Sequence, residues 1–335
     1  MSRANGSRLS QKRIGVIGLG MYVPSKVVTN ADLEKVVDTT DEWIQTRTGI
    51  RERRVAPPGT TTSDLAYHAA VEALKQAKLD AKDVDLLIVA TTTPDMLFPS
   101  TSCLVQQRLG ANRAVCFDLS AACSGSVFAM ITAQQYLLTG RYRNALVVGA
   151  EVLSIFVDWT DRSTCILFGD GAGACVLAPV KRGGILATDM GSDGNAAELL
   201  YMPGGGSKFP PSHHSIDQRL HFLRMNGSEI FKVAVRHMAD STNRVIKQAK
   251  ISPSHVECLI PHQANIRIIE AVAKRAKLPL EKAYINLQRY GNTSAASNLI
   301  ALYEAVKEGV VERNDHIVMV AFGAGLTWGS LLLQW

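Results

Sequence analysis

The sequence predicts an α/β fold assembled from two similar halves. Three observations lead there. Apolar runs of strand length alternate with runs of helix length along all 335 residues. The order of those elements repeats once. Reactive polar residues recur where a strand-like run hands over to a helix-like run, which is where α/β sheets bind ligands.

In the first half, Ile14–Gly18 is predicted as a strand, Leu65–Ala77 as a helix, Leu86–Ala90 as a strand and Thr101–Leu109 as a helix. Val115–Leu119 follows as a strand, Val127–Leu138 as a helix and Ala145–Val148 as a strand. Cys165–Leu167 and Ala174–Leu177 read as a hairpin around Gly169 to Gly173. In the second half, Ile185–Asp189 reads as a strand, Glu229–Lys250 as a long helix, Cys258–Ile260 as a strand, Ile266–Ala276 as a helix and Tyr284–Leu287 as a strand. Leu299–Lys307 then reads as a helix, and Ile317–Ala321 and Leu326–Leu333 as the last strands. The matching order implies an internal duplication, with the boundary near Val180 to Gly184. Residues 1–12 are then a disordered basic tail, 13–182 an N-terminal half and 183–335 a C-terminal half. In this register the turn at Cys123 is equivalent to the turn at Asn292, and His262 to the turn near Thr92. Groups from both halves would meet around one cleft. The Gly/Pro/Ser/His-rich segment 203–215 reads as a surface loop.

Composition narrows the class. A chain of this length can bury a large core, and 47% hydrophobic with 20% charged residues is ordinary for a soluble globular protein. No apolar run reaches the roughly 18 residues of a membrane-spanning helix. Residues 1–13 are polar and basic, with no apolar signal region. The six cysteines (103, 116, 123, 165, 175, 258) form no CxxC pair and no disulfide framework, which fits a reducing cytoplasm. The net charge of +6 does not argue for nucleic acid. Arg3, Arg8, Lys12 and Arg13 supply four of those charges, no acid precedes Asp32, and no basic-aromatic recognition motif follows.

Three segments carry candidate chemistry. Asp118-Leu119-Ser120-Ala121-Ala122-Cys123-Ser124-Gly125-Ser126 places one thiol at a strand-to-helix turn among small residues. Unpaired N–H groups and the helix dipole there favour a thiolate. On this segment alone, an inert buried cysteine fits as well as a nucleophile. Leu259-Ile260-Pro261-His262-Gln263-Ala264-Asn265 places an imidazole at a second such turn, and Tyr290-Gly291-Asn292-Thr293-Ser294-Ala295-Ala296-Ser297 a carboxamide at a third. A thiol nucleophile needs a partner from elsewhere in the chain, and these are its candidates.

Other motifs are weaker. Gly15 to Gly20 suggests a dinucleotide fingerprint, but Val23 stands where the third glycine belongs and Pro24 follows. Gly169 to Gly173 lacks the Gly-Lys-Ser/Thr ending of a phosphate loop. His213, His214 and His221 lack a carboxylate or cysteine at ligand spacing, so no metal site is expected.

The chain resembles the β-ketoacyl-acyl-carrier-protein synthase III family, initiating condensing enzymes of the thiolase superfamily. The resemblance rests on Asp41-Glu42-Trp43-Ile44 with Thr46-Arg47-Thr48-Gly49-Ile50, Ala121-Ala122-Cys123-Ser124-Gly125, and Phe168-Gly169-Asp170-Gly171-Ala172-Gly173. It continues through Pro261-His262-Gln263-Ala264-Asn265, Gly291-Asn292-Thr293-Ser294 and Phe322-Gly323-Ala324-Gly325-Leu326-Thr327-Trp328-Gly329. Only residues 1 to about 12 fall outside it.

The resemblance implies a thiolase-like five-layer αβαβα sandwich and a Cys123, His262, Asn292 triad. It implies an oxyanion hole from the backbone N–H groups of Cys123 and Ala324, since a Gly-rich turn presents donors without side-chain bulk. Trp43 and Arg162 would hold the adenine of coenzyme A between an indole and a guanidinium plane. Arg47, Gly227, Phe231 and Asn265 would line the phosphate and pantetheine tunnel. Leu167 and Phe168 would line the primer pocket, with Phe98 reaching across a homodimer to floor it, which implies a short primer. Arg267 would lie on the surface that docks an acidic carrier protein.

The implied reaction is a decarboxylating Claisen condensation of a short acyl-CoA primer with malonyl-acyl carrier protein. It needs no cofactor, metal, membrane or nucleic acid, and it implies a cytoplasmic location. A rival reading keeps the chemistry but uses an unusual long, branched or aromatic primer in a secondary-metabolite pathway. Two residues depart from the family pattern: Ser126 stands where an aromatic residue is common, which bears on primer choice, and Ala324 interrupts a glycine triplet. Hydroxymethylglutaryl-CoA synthase chemistry uses Cys, His and Glu, and Asn292 argues against it. An inactive partner subunit would lack the nucleophile.

Overall fold

A computed structural model describes residues 12–335. The tail predicted over residues 1–12 lies, save Lys12, outside the described residues.

Two sheets form the frame. The first contains β1 (Arg13–Tyr22), β2 (Leu86–Ala90), β3 (Val115–Leu119), β4 (Ala145–Glu151) and β5 (Gly171–Val180), in the order β1-β5-β4-β2-β3. β2 runs parallel to β3 and β4, while β5 is antiparallel to β1 and β4. The second contains β6 (Gly184–Ser192), β7 (Cys258–Pro261), β8 (His316–Gly323) and β9 (Thr327–Gln334), in the order β6-β9-β8-β7. Ala283 bridges in parallel to Leu259 on the outer edge of β7, where a fifth strand would stand. With that bridge counted, both halves share one strand order and one pattern of parallel and antiparallel neighbours.

Helices fill the layers. α1 (Thr62–Ala77) and α2 (Thr101–Leu109) cover the outer face of the first sheet. α3 (Gly125–Leu138) and α4 (Ser297–Lys307) lie between the sheets, touching strands of both. α5 (Gly227–Ala249) and α6 (Ile266–Ala276) cover the second sheet. The result is a five-layer αβαβα sandwich. Sequence explains the placement. α3 is apolar nearly all round, as a doubly covered helix must be, whereas α5 and α6 keep a charged outer face. Likewise all five residues of β2, Leu-Leu-Ile-Val-Ala, are buried, as expected of a central parallel strand. The largest core cluster joins Ile14, Ile88 and Val127 to Leu299, Ile317 and Leu331, so both halves share it.

Two predicted strands are not strands. Cys165 ends a short helix, Arg162–Cys165, residues 166–167 form a turn, and only Gly171–Val180 continues in the sheet. Asp161 caps that helix through the Ser163 N–H at 2.9 Å, and this local bond overrides the apolar run. Residues 284–287 pair with no strand, and Leu287–Tyr290 forms a helical turn. Here Asn286 is tied to Gln263 and Glu304 instead of to a ladder.

Candidate active site

Cys123 lies in a single 3-10 turn, Ala122–Ser124, between β3 and α3. The equivalent turn of the second half, Ser294–Ala296, opens α4. Both are entered through a non-glycine residue in the left-handed region, Ala122 at φ 46° and Ser294 at φ 47°. That conformation is costly for an L-residue and is found where a site demands it. The turns pack back to back. A Cβ on Gly125 would meet the Ala295 methyl at 3.2 Å, and one on Gly149 would meet the Ala295 carbonyl oxygen at 2.2 Å. The duplication thereby brings Cys123 and Asn292 together.

The three polar candidates line one cavity of about 120 Å³, with Leu167, Phe168, Gly227, Phe231, Asn265 and Phe322 among its other walls. Each is nearly buried: Cys123 is 6%, His262 4% and Asn292 7% exposed. Hydrogen bonds fix how they face it. The Asn292 Oδ1 accepts the Ser294 N–H at 2.8 Å, which leaves the Nδ2 donors for the cavity and the Cys123 sulfur. The His262 Nδ1 lies 2.7 Å from the Ser297 Oγ. The Ser297 hydroxyl can donate to Nδ1, which matches the tautomer that carries the ring proton on Nε2, toward the cavity. Burial pushes the imidazole down to about 3, so it is neutral.

Burial also overturns one expectation. The helix N-terminus was expected to favour a thiolate, yet desolvation pushes the Cys123 thiol up to about 12, against hydrogen bonds from Ser294, its own backbone and Asn292. The resting site therefore holds a neutral thiol beside a neutral imidazole.

The Gly-rich turn after β8 closes over the nucleophile. A Cβ on Gly323 would fall 2.6 Å from the Cys123 nitrogen and 3.0 Å from that of Ser124, so only glycine fits. The Thr327 Oγ1 hydrogen is shared between the Ala121 and Ala324 carbonyls, each at 3.1 Å, tying this turn to the Cys123 turn. Ala324 lines a second cavity with Cys123. It measures about 150 Å³ and is walled by Thr92, Thr93, Leu153, Phe156, Phe168, Leu200, Met202 and Leu223 among others.

The remaining predicted residues fall into two groups. Around the first cavity's mouth, the Asn265 Nδ2 donates to the Arg47 carbonyl at 3.0 Å, and Arg267 is exposed on the first turn of α6. The Arg162 guanidinium carbon lies 4.8 Å from the centroid of the Trp43 ring, and that of Arg47 lies 5.6 Å from it. The Trp43–Arg162 gap is closed, with the Arg162 Nη1 donating to the Asp38 carbonyl at 2.8 Å. Phe98 stands apart. It is 83% exposed on the segment between β2 and α2 and lines neither cavity of its own chain. Ser126 is fully buried, and its Oγ has no hydrogen-bond partner among the described residues.

Sequence reasoning missed Glu151, Ser294 and Ser297. Both serines stand in the quoted Asn292 segment, at the first turn of a helix where hydroxyls reach neighbouring groups. Glu151 ends an apolar strand whose predicted end, Val148, stopped three residues short. An acid closing such a run was the available signal. Among the described residues, no group of three or more His, Cys, Asp or Glu is placed to hold a metal ion, and no helix is long and apolar enough to cross a membrane.

Known proteins carry the same design. The family models for 3-oxoacyl-[acyl-carrier-protein] synthase III and for its C-terminal region match residues 117–194 and 246–335. A β-ketoacyl-[acyl-carrier-protein] synthase III of Caldanaerobacter subterraneus subsp. tengcongensis is 54% identical over 322 residues, covering 96% of this chain and 97% of that protein. The crystal structure of 3-oxoacyl-[acyl-carrier-protein] synthase III from Aquifex aeolicus superposes with a TM-score of 0.89 at 50% identity, covering 96% of this chain and 100% of that one. The priming β-ketosynthase of a polyketide biosynthetic pathway superposes with a TM-score of 0.90 at 34% identity, covering 98% of each chain. With a thiol, an imidazole and a carboxamide in one cavity of a duplicated five-layer sandwich, the chain belongs to the β-ketoacyl-[acyl-carrier-protein] synthase III family.

Proposed function

We propose that the protein condenses a short acyl-CoA primer with malonyl-acyl carrier protein, with loss of CO₂, to give the 3-oxoacyl carrier protein that begins fatty-acid synthesis. The observation that carries this reading is the shared cavity of Cys123, His262 and Asn292. The Cys123 sulfur attacks the primer thioester. An S–C bond forms, the bond to coenzyme A breaks, and the thiol proton leaves on the coenzyme A thiol. The backbone N–H groups of Cys123 and Ala324 hold the oxyanion. Malonyl-carrier protein then enters. His262 Nε2–H and Asn292 Nδ2–H donate to its thioester oxygen, stabilising the enolate that forms as CO₂ departs. The carbanion bonds to the acyl carbon, the S–C bond breaks, and the thiolate takes a proton from solvent. Losing one such donor costs on the order of 10²–10³ in rate. The chemistry requires no metal or redox cofactor.

Trp43, Arg47, Arg162, Gly227, Phe231 and Asn265 are assigned to coenzyme A, Phe168 and Phe98 to the primer, and Arg267 to the carrier protein; Leu167, expected on the primer pocket, borders the first cavity instead of the second. A homodimer fits the open edge of β3 and the neighbouring exposed Met96, Leu97 and Phe98. A soluble cytoplasmic enzyme is the matching location. The second cavity supports the size of the primer. At about 150 Å³ it equals an apolar cavity that holds benzene, so acetyl to six-carbon or branched groups fit. The likeness to a polyketide priming enzyme favours one alternative, the same chemistry on an unusual primer.

The test is product formation from malonyl-acyl carrier protein with a panel of acyl-CoAs from acetyl to decanoyl, including branched and aromatic members. Preference for acetyl or short branched primers supports the initiating role. Turnover restricted to long or aromatic primers moves the protein to a specialised pathway. No condensation with any primer overturns the reading.

A further inference from the structure

We infer that Glu151 is a positioning residue of this site: through the Ser294 hydroxyl it decides whether the Cys123 sulfur meets a hydrogen-bond acceptor or a donor. The inference rests on Cys123 being the nucleophile.

Glu151 closes β4 and is fully buried. Its carboxyl group is surrounded by donors: Thr93 Oγ1 at 2.8 Å, the Thr92 N–H at 3.1 Å, Ser294 Oγ at 3.1 Å, Thr91 Oγ1 at 3.2 Å and Thr92 Oγ1 at 3.3 Å. No cation is among these partners. Ser294 is shared: it lines the same cavity as Cys123, and its hydroxyl, when given to that sulfur, lowers the proton affinity of the thiol. Cys123 feels the Glu151 charge directly, because that carboxylate raises its proton affinity.

The surrounding elements leave few other titratable groups. β2 and the Ser294–Ala296 turn carry none, and α3 carries only Tyr136, near its far end. β5 carries Cys175, which faces the central core, and the preceding Asp170 is held by Ser154 and the Ala56 N–H. The titratable residues of α1 are all at least partly exposed, and its Asp64 is paired to Arg108. His262 is the remaining titratable group of the cavity.

One hydroxyl proton must serve two neighbours. With Glu151 ionised, Ser294 donates to the carboxylate, so its oxygen can only accept S–H, and the neutral thiol is held. With Glu151 protonated, the acid donates to Ser294 and the hydroxyl turns to the sulfur, which favours the thiolate released when the carbanion displaces Cys123. Burial lifts Glu151 to about 6 in spite of its donors, so both forms are within reach.

The test is the pH dependence of Cys123 alkylation by iodoacetamide in the full chain, located by peptide mass. In Glu151→Gln the charge is gone and an amide can donate to Ser294. Between about pH 7 and pH 9, above the Glu151 titration and well below that of the thiol, alkylation becomes about tenfold faster, the effect of lowering the thiol by about one pH unit. In a Ser294→Ala background the same change loses most of its effect. In the wild type itself, protonation of Glu151 below about pH 6 makes alkylation about tenfold faster than a single thiol titration extrapolated from higher pH, which gives a second route should Glu151→Gln fold poorly. A wild-type rate in Glu151→Gln, or, where that variant does not fold, a wild-type profile that follows one titration through about pH 6, or an equal gain with and without Ser294, overturns the inference. The nucleophile reading fails separately: fully alkylated wild-type protein that still condenses would sink it, whatever Glu151 does.

Discussion

The Ser297 hydroxyl stands 2.7 Å from the His262 Nδ1, to which it donates when the ring proton is on Nε2. That tautomer presents Nε2–H to the cavity, as the proposed decarboxylation requires. A neutral imidazole of the other tautomer would offer a lone pair to the malonyl thioester oxygen and repel it. Ser297→Ala is therefore expected to slow malonyl decarboxylation about tenfold, the worth of one buried hydrogen bond, with acylation of Cys123 by the primer nearly unchanged. Ser297→Thr should recover most of the rate. Measuring decarboxylation and single-turnover acylation separately checks this. Equal losses in both steps would show a packing defect instead.

Much of this site could be read from the sequence because it is built from short contiguous motifs at strand ends. Cys123, His262 and Asn292 each follow a strand-like run, and equivalence of the two halves predicts their convergence. The strands at 165–167 and 284–287 failed for a shared reason. Apolar content alone cannot separate a strand from a helical turn when an Asp161 cap or an Asn286–Glu304 bond competes with the ladder. The protonation of Cys123 could not be read locally. Helix position is written in the flanking residues, but desolvation comes from segments hundreds of residues away, such as the Gly323 turn. Glu151 escaped notice because its importance lies in three threonines and a serine that meet it only in space.

Trp43 and Arg162 are in contact in this structure, so an adenine cannot lie between them without Arg162 releasing the Asp38 carbonyl. Two stacked contacts need about 7 Å between planes, against a 4.8 Å guanidinium-to-centroid distance. Trp43→Ala is expected to raise the KM for acyl-CoA about tenfold, the worth of a lost aromatic stack, and to leave turnover of an acyl-pantetheine thioester without adenine unchanged. Arg162→Ala loses one plane but no longer has to open, so its KM rises less. Steady-state kinetics with the two acyl donors separates these outcomes. Equal losses with both donors would remove the pair from adenine binding.

Acid lability should trace to His262. Its pKa falls from 6.5 to about 3 on folding, so below pH 6.5 the unfolded chain binds more protons and stability drops as pH falls. By pH 5 the expected loss is about 2 kcal/mol. Glu151 works in the opposite direction. Its pKa rises from 4.5 to about 6, so its contribution to stability improves as pH falls through that window and offsets about 1 kcal/mol by pH 5. Replacing His262 with Asn removes the first effect and leaves the second. Denaturant unfolding at pH 7 and pH 5 should show the variant losing about 2 kcal/mol less than the wild type between those values. An identical loss in both proteins would mean that the imidazole is already protonated in the folded site at pH 5, and the neutral donor assigned to decarboxylation would have to be abandoned there.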